Sequence, residues 1–453
     1  MATALLDQPR SRRDSAAPRS PRPPRDRFID LLRAAAIVTI VCLHWLMPVI
    51  SYDDGDLSTA NALATGGGWA VTWVSQVMPL IFFAGGAAAA LSLDARRRDG
   101  RGTTAGWVSD RLARLARPAI PLAIAWIPLP HLLIAVGVPV QPVETVSALV
   151  GRLLWFLAAY VLLIAVTPAL LRLHDRAGGV GIGVVAAGAV AVDIARFGRL
   201  DGGSWFSYAN TVLVWGAIYL AGVHYGRGHR WRSLPALAFA GAGLLATALA
   251  VAVGPYPASM IGMPGSAVSN MNPPTAVLLG VAAIQLGLLM AVRCWLIRWA
   301  SLPPVAALLA WISHRTMTIY LWHTPALVTV AGIAVIGFGY AMPEPFSAEW
   351  RGTLPAWLAL LTGALAVLAR LLVRFEHPLF VHRPRPSRSR AAAAAVLTGG
   401  GLLVLAVVGF NPAADLWPLT AAGALAMGVG LASGRIGLPA GWAPARQNGR
   451  VVA

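Results

Sequence analysis

Lysine is missing altogether from this 453-residue chain; all 36 basic side chains are arginine. Charge of either sign is scarce. Only 12% of residues are charged, against about a quarter in a soluble domain, so there is too little polar material to coat a water-facing surface. The two cysteines, Cys42 and Cys294, are too few for a disulfide framework and lack metal-ligand spacing. Both lie in or beside apolar runs and read as small buried hydrophobes. No G-x-x-x-x-G-K-[ST] phosphate loop occurs. Neither H-E-x-x-H nor paired Cys-x-x-Cys is present, so no metal is expected.

What the chain has is hydrocarbon. Hydrophobic residues make up 57% of it, gathered in runs of roughly 18 to 24 residues, each able to cross a core about 30 Å thick. The runs read as spans at 28–50, 69–93, 115–137, 147–171, 179–195, 209–226, 234–254, 274–297, 316–338, 353–375, 392–410 and 416–433. The expected fold is an all-α polytopic transmembrane helix bundle. Residues 1–27, rich in Arg, Pro and Ser, read as a disordered basic tail. A ten-span body fills 28–380, a basic Pro-rich linker 381–391, a further two-span hairpin 392–433, and a second tail 434–453.

A net charge of +18 raises the question of nucleic acid. The arginines argue against it, because they sit in short loops between apolar runs. With the amino terminus in the cytoplasm, Arg96–Arg98, Arg172, Arg176, Arg227, Arg230, Arg232, Arg293, Arg298 and Arg315 all fall inside. Loop 51–68 carries Asp53, Asp54 and Asp56 with no arginine, and loop 255–273 carries no charge. Arg196 and Arg199 run against the trend. The positive-inside rule therefore places both termini in the cytoplasm and the protein in the cytoplasmic membrane, among its lipids.

Ionisable groups within a membrane are costly and mark function by default. Span one contains R-F-I-D-L-L-R-A-A-A-I-V-T-I-V-C-L-H. Arg33 and His44, at about 100° per residue, lie within roughly 20° of one face, and Asp30 within about 40° of His44. His44 then lies about 16 Å further along the helix than Arg33. Each residue alone has a plain explanation: a snorkelling arginine, an i, i+3 pair, a histidine bonded to a neighbouring helix.

Together they resemble the acyltransferase-3 family of bacterial membrane acyltransferases, which carry an R-x10-H on the first span. Other pieces follow in that family's order. M-P-L-I-F-F-A-G-G at 78–86 resembles its F-F-x-x-S-G, with Gly85 in the serine position. R-L-A-R-L-A-R-P at 111–118 resembles its R-x-x-R, and L-W-F-L at 154–157 its L-W-F-L. T-M-T-I-Y-L-W-H-T-P at 316–325 resembles S-x-x-I-Y-L-x-H-x-P, with Thr316 for serine, and F-E-H-P at 375–378 resembles the closing E-x-P. The resemblance covers roughly residues 27–380.

It implies transfer of an acyl group, commonly acetyl, from cytoplasmic acyl-coenzyme A to a hydroxyl of an extracytoplasmic carbohydrate or related acceptor. Such a transfer needs a base for the hydroxyl proton, and a histidine titrates near the working pH. His44 takes that role, with Arg33 and Asp30 on its face. Arg111 and Arg114, with Arg33, are placed to hold the donor's phosphates, for which the guanidinium fork is suited. Tyr320 and His323, about two turns inside span nine, are the remaining donor-site candidates; His323 either orients the thioester or is a satisfied core histidine. Asp193 could touch the acceptor. Arg374 with Glu376 reads as an inner-surface cluster, and Asn270 and Asn272 as caps before proline. Two rivals stand beside this reading. A transporter would show internal repeats with matching broken helices, and a non-catalytic sensor would reuse the bundle.

Overall fold

The computed structural model describes residues 26–434 apart from 65, 101, 199–204, 231, 264 and 373–385. The basic tails, Arg199, most of the linker, Arg374, Glu376 and the F-E-H-P motif lie outside the described residues.

The bundle is built of α1 (Arg27–Leu46), α2 (Gly68–Arg98), α3 (Thr104–Ala135), α4 (Val140–Ala177), α5 (Val180–Phe197), α6 (Trp205–Gly226) and α7 (Ser233–Val253). It continues with α8 (Val277–Ala291), α9 (Arg293–Ala300), α10 (Pro303–Gly337), α11 (Ala348–Leu372), α12 (Arg388–Val408) and α13 (Trp417–Ser433). Among the described residues ten of these are long and apolar enough to cross a bilayer. The pair α8 and α9, bent by 67° at Val292, makes an eleventh, and α13, with 17 residues, is at the lower length limit. All twelve expected spans thus correspond to helices. Their starts differ where amphipathic turns precede the apolar run: the third helix begins at Thr104 rather than 115, and the ninth span at Pro303 rather than 316.

The first span also ends early, at Leu46. The residues after it, expected as plain loop, form an antiparallel hairpin of β1 (Pro48–Asp53) and β2 (Asp56–Asn61). Asp54 and Gly55 make the two-residue turn, both with positive φ (49° and 94°), which is what Asp-Gly supplies at little cost. The side chain of Gln141 completes the β2 edge: it accepts from Leu57 N at 2.9 Å and donates to Leu57 O at 3.0 Å. Ile50 and Leu57 of the hairpin pack on Ala331 and Val335 of α10. This end of the bundle is called the hairpin end, and the opposite one, where α1 starts, the basic end.

Helix pairing rests on small residues. A Cβ on Gly222 would strike the Phe83 carbonyl, and one on Gly86 the Tyr219 carbonyl, so α2 and α6 touch backbone to backbone. The expected C-terminal hairpin, α12 and α13, does not stand apart from the body. α12 runs along α4 and α3, and α13 packs on α3. At the α12 terminus Gly409 (φ +68°) lies against Ser147 and Ala148, where any side chain would clash with backbone. The two cysteines, expected as buried, are exposed on the bundle's exterior; their apolar neighbours in sequence are lipid-facing rather than core.

Candidate active site

Asp26 caps α1, accepting from Phe28 N at 3.0 Å. The helix then buries Phe28, Leu32, Ala36, Ile40 and neighbouring residues against α10 and α2. That registration puts His44, half-buried in the last turn, opposite His323, which is fully buried in the middle of α10. His44 Nδ1 and His323 Nε2 are 2.7 Å apart, and the rings lie nearly parallel, 6° apart in plane. His323 Nδ1 lies 2.6 Å from the carbonyl oxygen of Tyr320. Because α10 begins at Pro303, His323 is almost six turns into its helix, not the two turns expected from the apolar run.

The tautomers follow from these contacts. A carbonyl only accepts, so His323 Nδ1 carries a proton and donates to Tyr320 O. His323 Nε2 is then an acceptor, and His44 Nδ1 must donate to it. In the neutral pair, His44 Nε2 is left with a bare lone pair and has no partner among the described residues. The chain of bonds holds one imidazole in place and leaves its far nitrogen basic, the arrangement a general base requires.

Two further groups fix the pair. Trp45 Nε1 donates to the carbonyl of His323 at 2.9 Å, and the Tyr320 hydroxyl donates to Leu153 O at 2.5 Å. The Tyr320 hydroxyl proton is therefore committed within the bundle. Trp45 was not among the expected residues; its position next to His44 was the available signal. Phe156 packs edge-on against Tyr320, and Phe82, Tyr160 and Trp215 extend the aromatic wall. A side chain at Gly85 would run into the hydroxyl of Tyr160, so the glycine here goes with the tyrosine beside it.

The arginines gather towards the basic end. Arg111 is half-buried; its Nη2 donates to Ser92 Oγ at 2.8 Å and Ala88 O at 3.1 Å, leaving its other guanidinium N–H groups uncommitted. Arg33 and Arg114 are exposed and have no ion pair among the described residues. The three are close enough to repel one another, a concentration of unneutralised positive charge suited to a polyanion. Asp30 is in the first turn of α1, where a carboxylate opposes the helix dipole. The structure forms no Asp30–Arg33 pair and leaves Asp30 about 21 Å along the axis from His44.

Asp193, 1% exposed, accepts from Asn210 Nδ2 at 2.7 Å, Tyr256 OH at 3.1 Å and Ala276 N at 2.6 Å. It ties α5, α6, the 254–276 segment and the start of α8 together. Burial, and next the Asp193 carboxylate, push the Tyr256 phenol above its ordinary range. Asn270 is no cap: it is fully buried and staples the 254–276 segment, donating to Pro257 O and Ser259 O and accepting from Thr275. At the basic end, His174, His224 and Arg227 form a second bonded cluster that sequence reading missed. Among the described residues no group of His, Cys, Asp or Glu could hold a metal ion.

Residues 26–375 match a family described as an acyltransferase domain. No curated protein and no solved structure matches the chain.

Proposed function

The chain belongs to the acyltransferase-3 family, and on that premise we propose that it transfers an acyl group, acetyl by default, from cytoplasmic acyl-coenzyme A to a hydroxyl of an extracytoplasmic carbohydrate or related acceptor. The observation that carries this reading is the oriented histidine pair, with a free Nε2 on His44 and the uncommitted arginines further down the same helix. The donor's phosphates dock at Arg33, Arg111 and Arg114 from the basic end, which the arginine distribution puts in the cytoplasm. From Arg33 to His44 is about 16 Å along α1. The donor's flexible arm must cover that distance to bring its thioester to the base.

The chemistry then closes. The acceptor hydroxyl gives its proton to His44 Nε2 as its oxygen attacks the thioester carbonyl. The carbon–sulfur bond breaks, the ester forms, and the leaving thiolate takes the proton back from His44. His323 accepts the Nδ1 proton's hydrogen bond throughout and stabilises the imidazolium. A transporter of this layout would pair broken helices across its halves; the α8–α9 bend is the one such break among the described residues. Release of coenzyme A thiol from acetyl-coenzyme A, measured with a glycoside panel, tests the reading. His44→Ala is expected to lower turnover by about 10²–10⁴-fold, the usual weight of a general base, while acetyl-coenzyme A still binds. Equal turnover in both proteins removes His44 from the mechanism.

A further inference from the structure

Immediately beyond the histidine pair, at the hairpin end, a cleft opens between α1, β1, the segment after α10, and α11. Trp45, Tyr340, Met342, Trp350, Thr353 and Trp357 line it, and no charged side chain does. We propose that this cleft is the acceptor subsite and holds one neutral sugar ring against its aromatic wall. The proposal rests on the acyltransferase reading and names where and how the acceptor is held.

Three observations carry it. Nε1 of Trp357 is buried with no hydrogen-bond partner; a buried N–H left unmade is costly, and a ligand hydroxyl supplies the missing acceptor after a small side-chain shift. Tyr340 and Trp357 stack, 22° between planes, and present electron-rich faces that attract the weakly positive C–H groups of a sugar ring. Trp45 is the residue after His44, and its N–H is bonded to His323 O, so the cleft wall and the base are held in one register.

Tryptophans at a membrane boundary also serve as anchors, but anchors face outward. Trp205 and Trp417, at the same end, are 87% and 60% exposed and fill that role. Trp45 is 5% exposed, and Tyr340, Trp350 and Trp357 are half-buried against one another around the cleft. The absence of charge in the lining excludes a phosphate or carboxylate as the group held here. Size limits it further: the unfilled space, open mouth included, is about 330 Å³, at the floor of the roughly 300–1,000 Å³ typical of small-molecule sites. One ring fits, and a chain does not.

The test is saturation-transfer NMR on the full chain in lipid nanodiscs. The probes are methyl glycosides of glucose, galactose, mannose and N-acetylglucosamine, with phenol as an aromatic control. One or more glycosides should receive saturation on the C–H protons of a single ring face. Trp357→Phe keeps a ring but loses the N–H, and should bind about tenfold more weakly, as losing a hydrogen bond to a buried group implies. Trp350→Ala, at a more open position, covers the case in which the Trp357 variant fails to fold and should weaken binding as well. No transfer to any glycoside, transfer unchanged in both variants, or transfer to phenol alone would overturn the subsite. Acetyl-coenzyme A binding, measured on the same wild-type sample, separates the two ideas. Donor binding without glycoside contact removes the subsite and leaves the acyltransferase. Glycoside contact without donor binding or turnover removes the acyltransferase and leaves a sugar site.

Discussion

A base is only as good as the group that holds it, and for His44 that group is a second histidine whose own proton is tied to a carbonyl. His323 does not touch the reacting atoms in this arrangement; it acts through His44 as a positioning residue. Its replacement should therefore affect turnover and spare substrate affinity. His323→Ala is expected to lower kcat by about 10–100-fold, part of the weight of a general base, with KM for donor and acceptor little changed. His323→Gln, which can offer an acceptor oxygen to His44 Nδ1, should recover part of the loss. Nitrogen-15 shifts of labelled histidine should report the Nδ1–H tautomer at both positions in the wild type. Steady-state kinetics decide the matter: a rise in KM without a fall in kcat would mean that His323 binds substrate directly. At this scale the sequence was legible where spacing within one helix sufficed. Arg33 and His44 share a face of α1 by arithmetic alone. The His44–His323 bond could not be read, because its partners are 279 residues apart and no periodicity records which helices adjoin. The depth of His323 was misjudged for a related reason: residues 303–315 are too polar to look like membrane, yet the helix runs through them.

Elements are joined here by few but concentrated contacts, and Asp193 is the clearest. Its carboxylate accepts from one side chain on α6, one in the 254–276 segment and the first backbone amide before α8. Removing it leaves these buried donors without an acceptor, each costing about 1–3 kcal/mol when unmet. Asp193→Ala should destabilise the fold by about 2–4 kcal/mol, at the upper end for single substitutions, seen as a lowered thermal midpoint in detergent. Asp193→Asn, which keeps two acceptor lone pairs, should lose less. A thermal midpoint unchanged in Asp193→Ala, with acceptor KM raised instead, would make it an acceptor-binding residue. Sequence reading noted Asp193 as an unusual charge in a span but could not tell a ligand from a latch, because the three donors come from separate stretches of chain. The β-hairpin after α1 was legible and overlooked: Asp54-Gly55 between short alternating strands is a standard two-residue turn signal. The count of spans came through because length and hydropathy alone decide it.

For the molecule as a whole, the question is whether the family's portion stands without the two helices that follow it. The match ends at residue 375, and composition alone set residues 392–433 apart as an addition. Packing gives the addition a structural role. α12 lies along α4, the helix that supplies the Leu153 carbonyl to Tyr320 and the Phe156 edge of the aromatic wall. The contact is close: a Cβ on Gly151 would fall against the Gly409 backbone and 2.6 Å from Leu405 O. Phe410 N donates to Ser147 O at 3.2 Å, and the Phe410 ring packs beside Trp126 of α3. The pair is also tightly self-joined, since Gly401 and Gly428 leave room for the opposing backbone. It should therefore form as a unit and dock as a unit. Ending the chain after residue 386 exposes the glycine-lined faces of α4 and α3 and should give a protein that aggregates in detergent or unfolds at a clearly lower temperature. Supplying residues 387–434 as a separate polypeptide should restore a monodisperse sample, because close backbone contact needs no covalent link once both parts share a bilayer. Size-exclusion profiles of the three samples answer the question. A truncated chain as monodisperse and as thermostable as the whole would show that α12 and α13 are passengers, and that the α4 register holding Tyr320 and His323 is set within the family body alone.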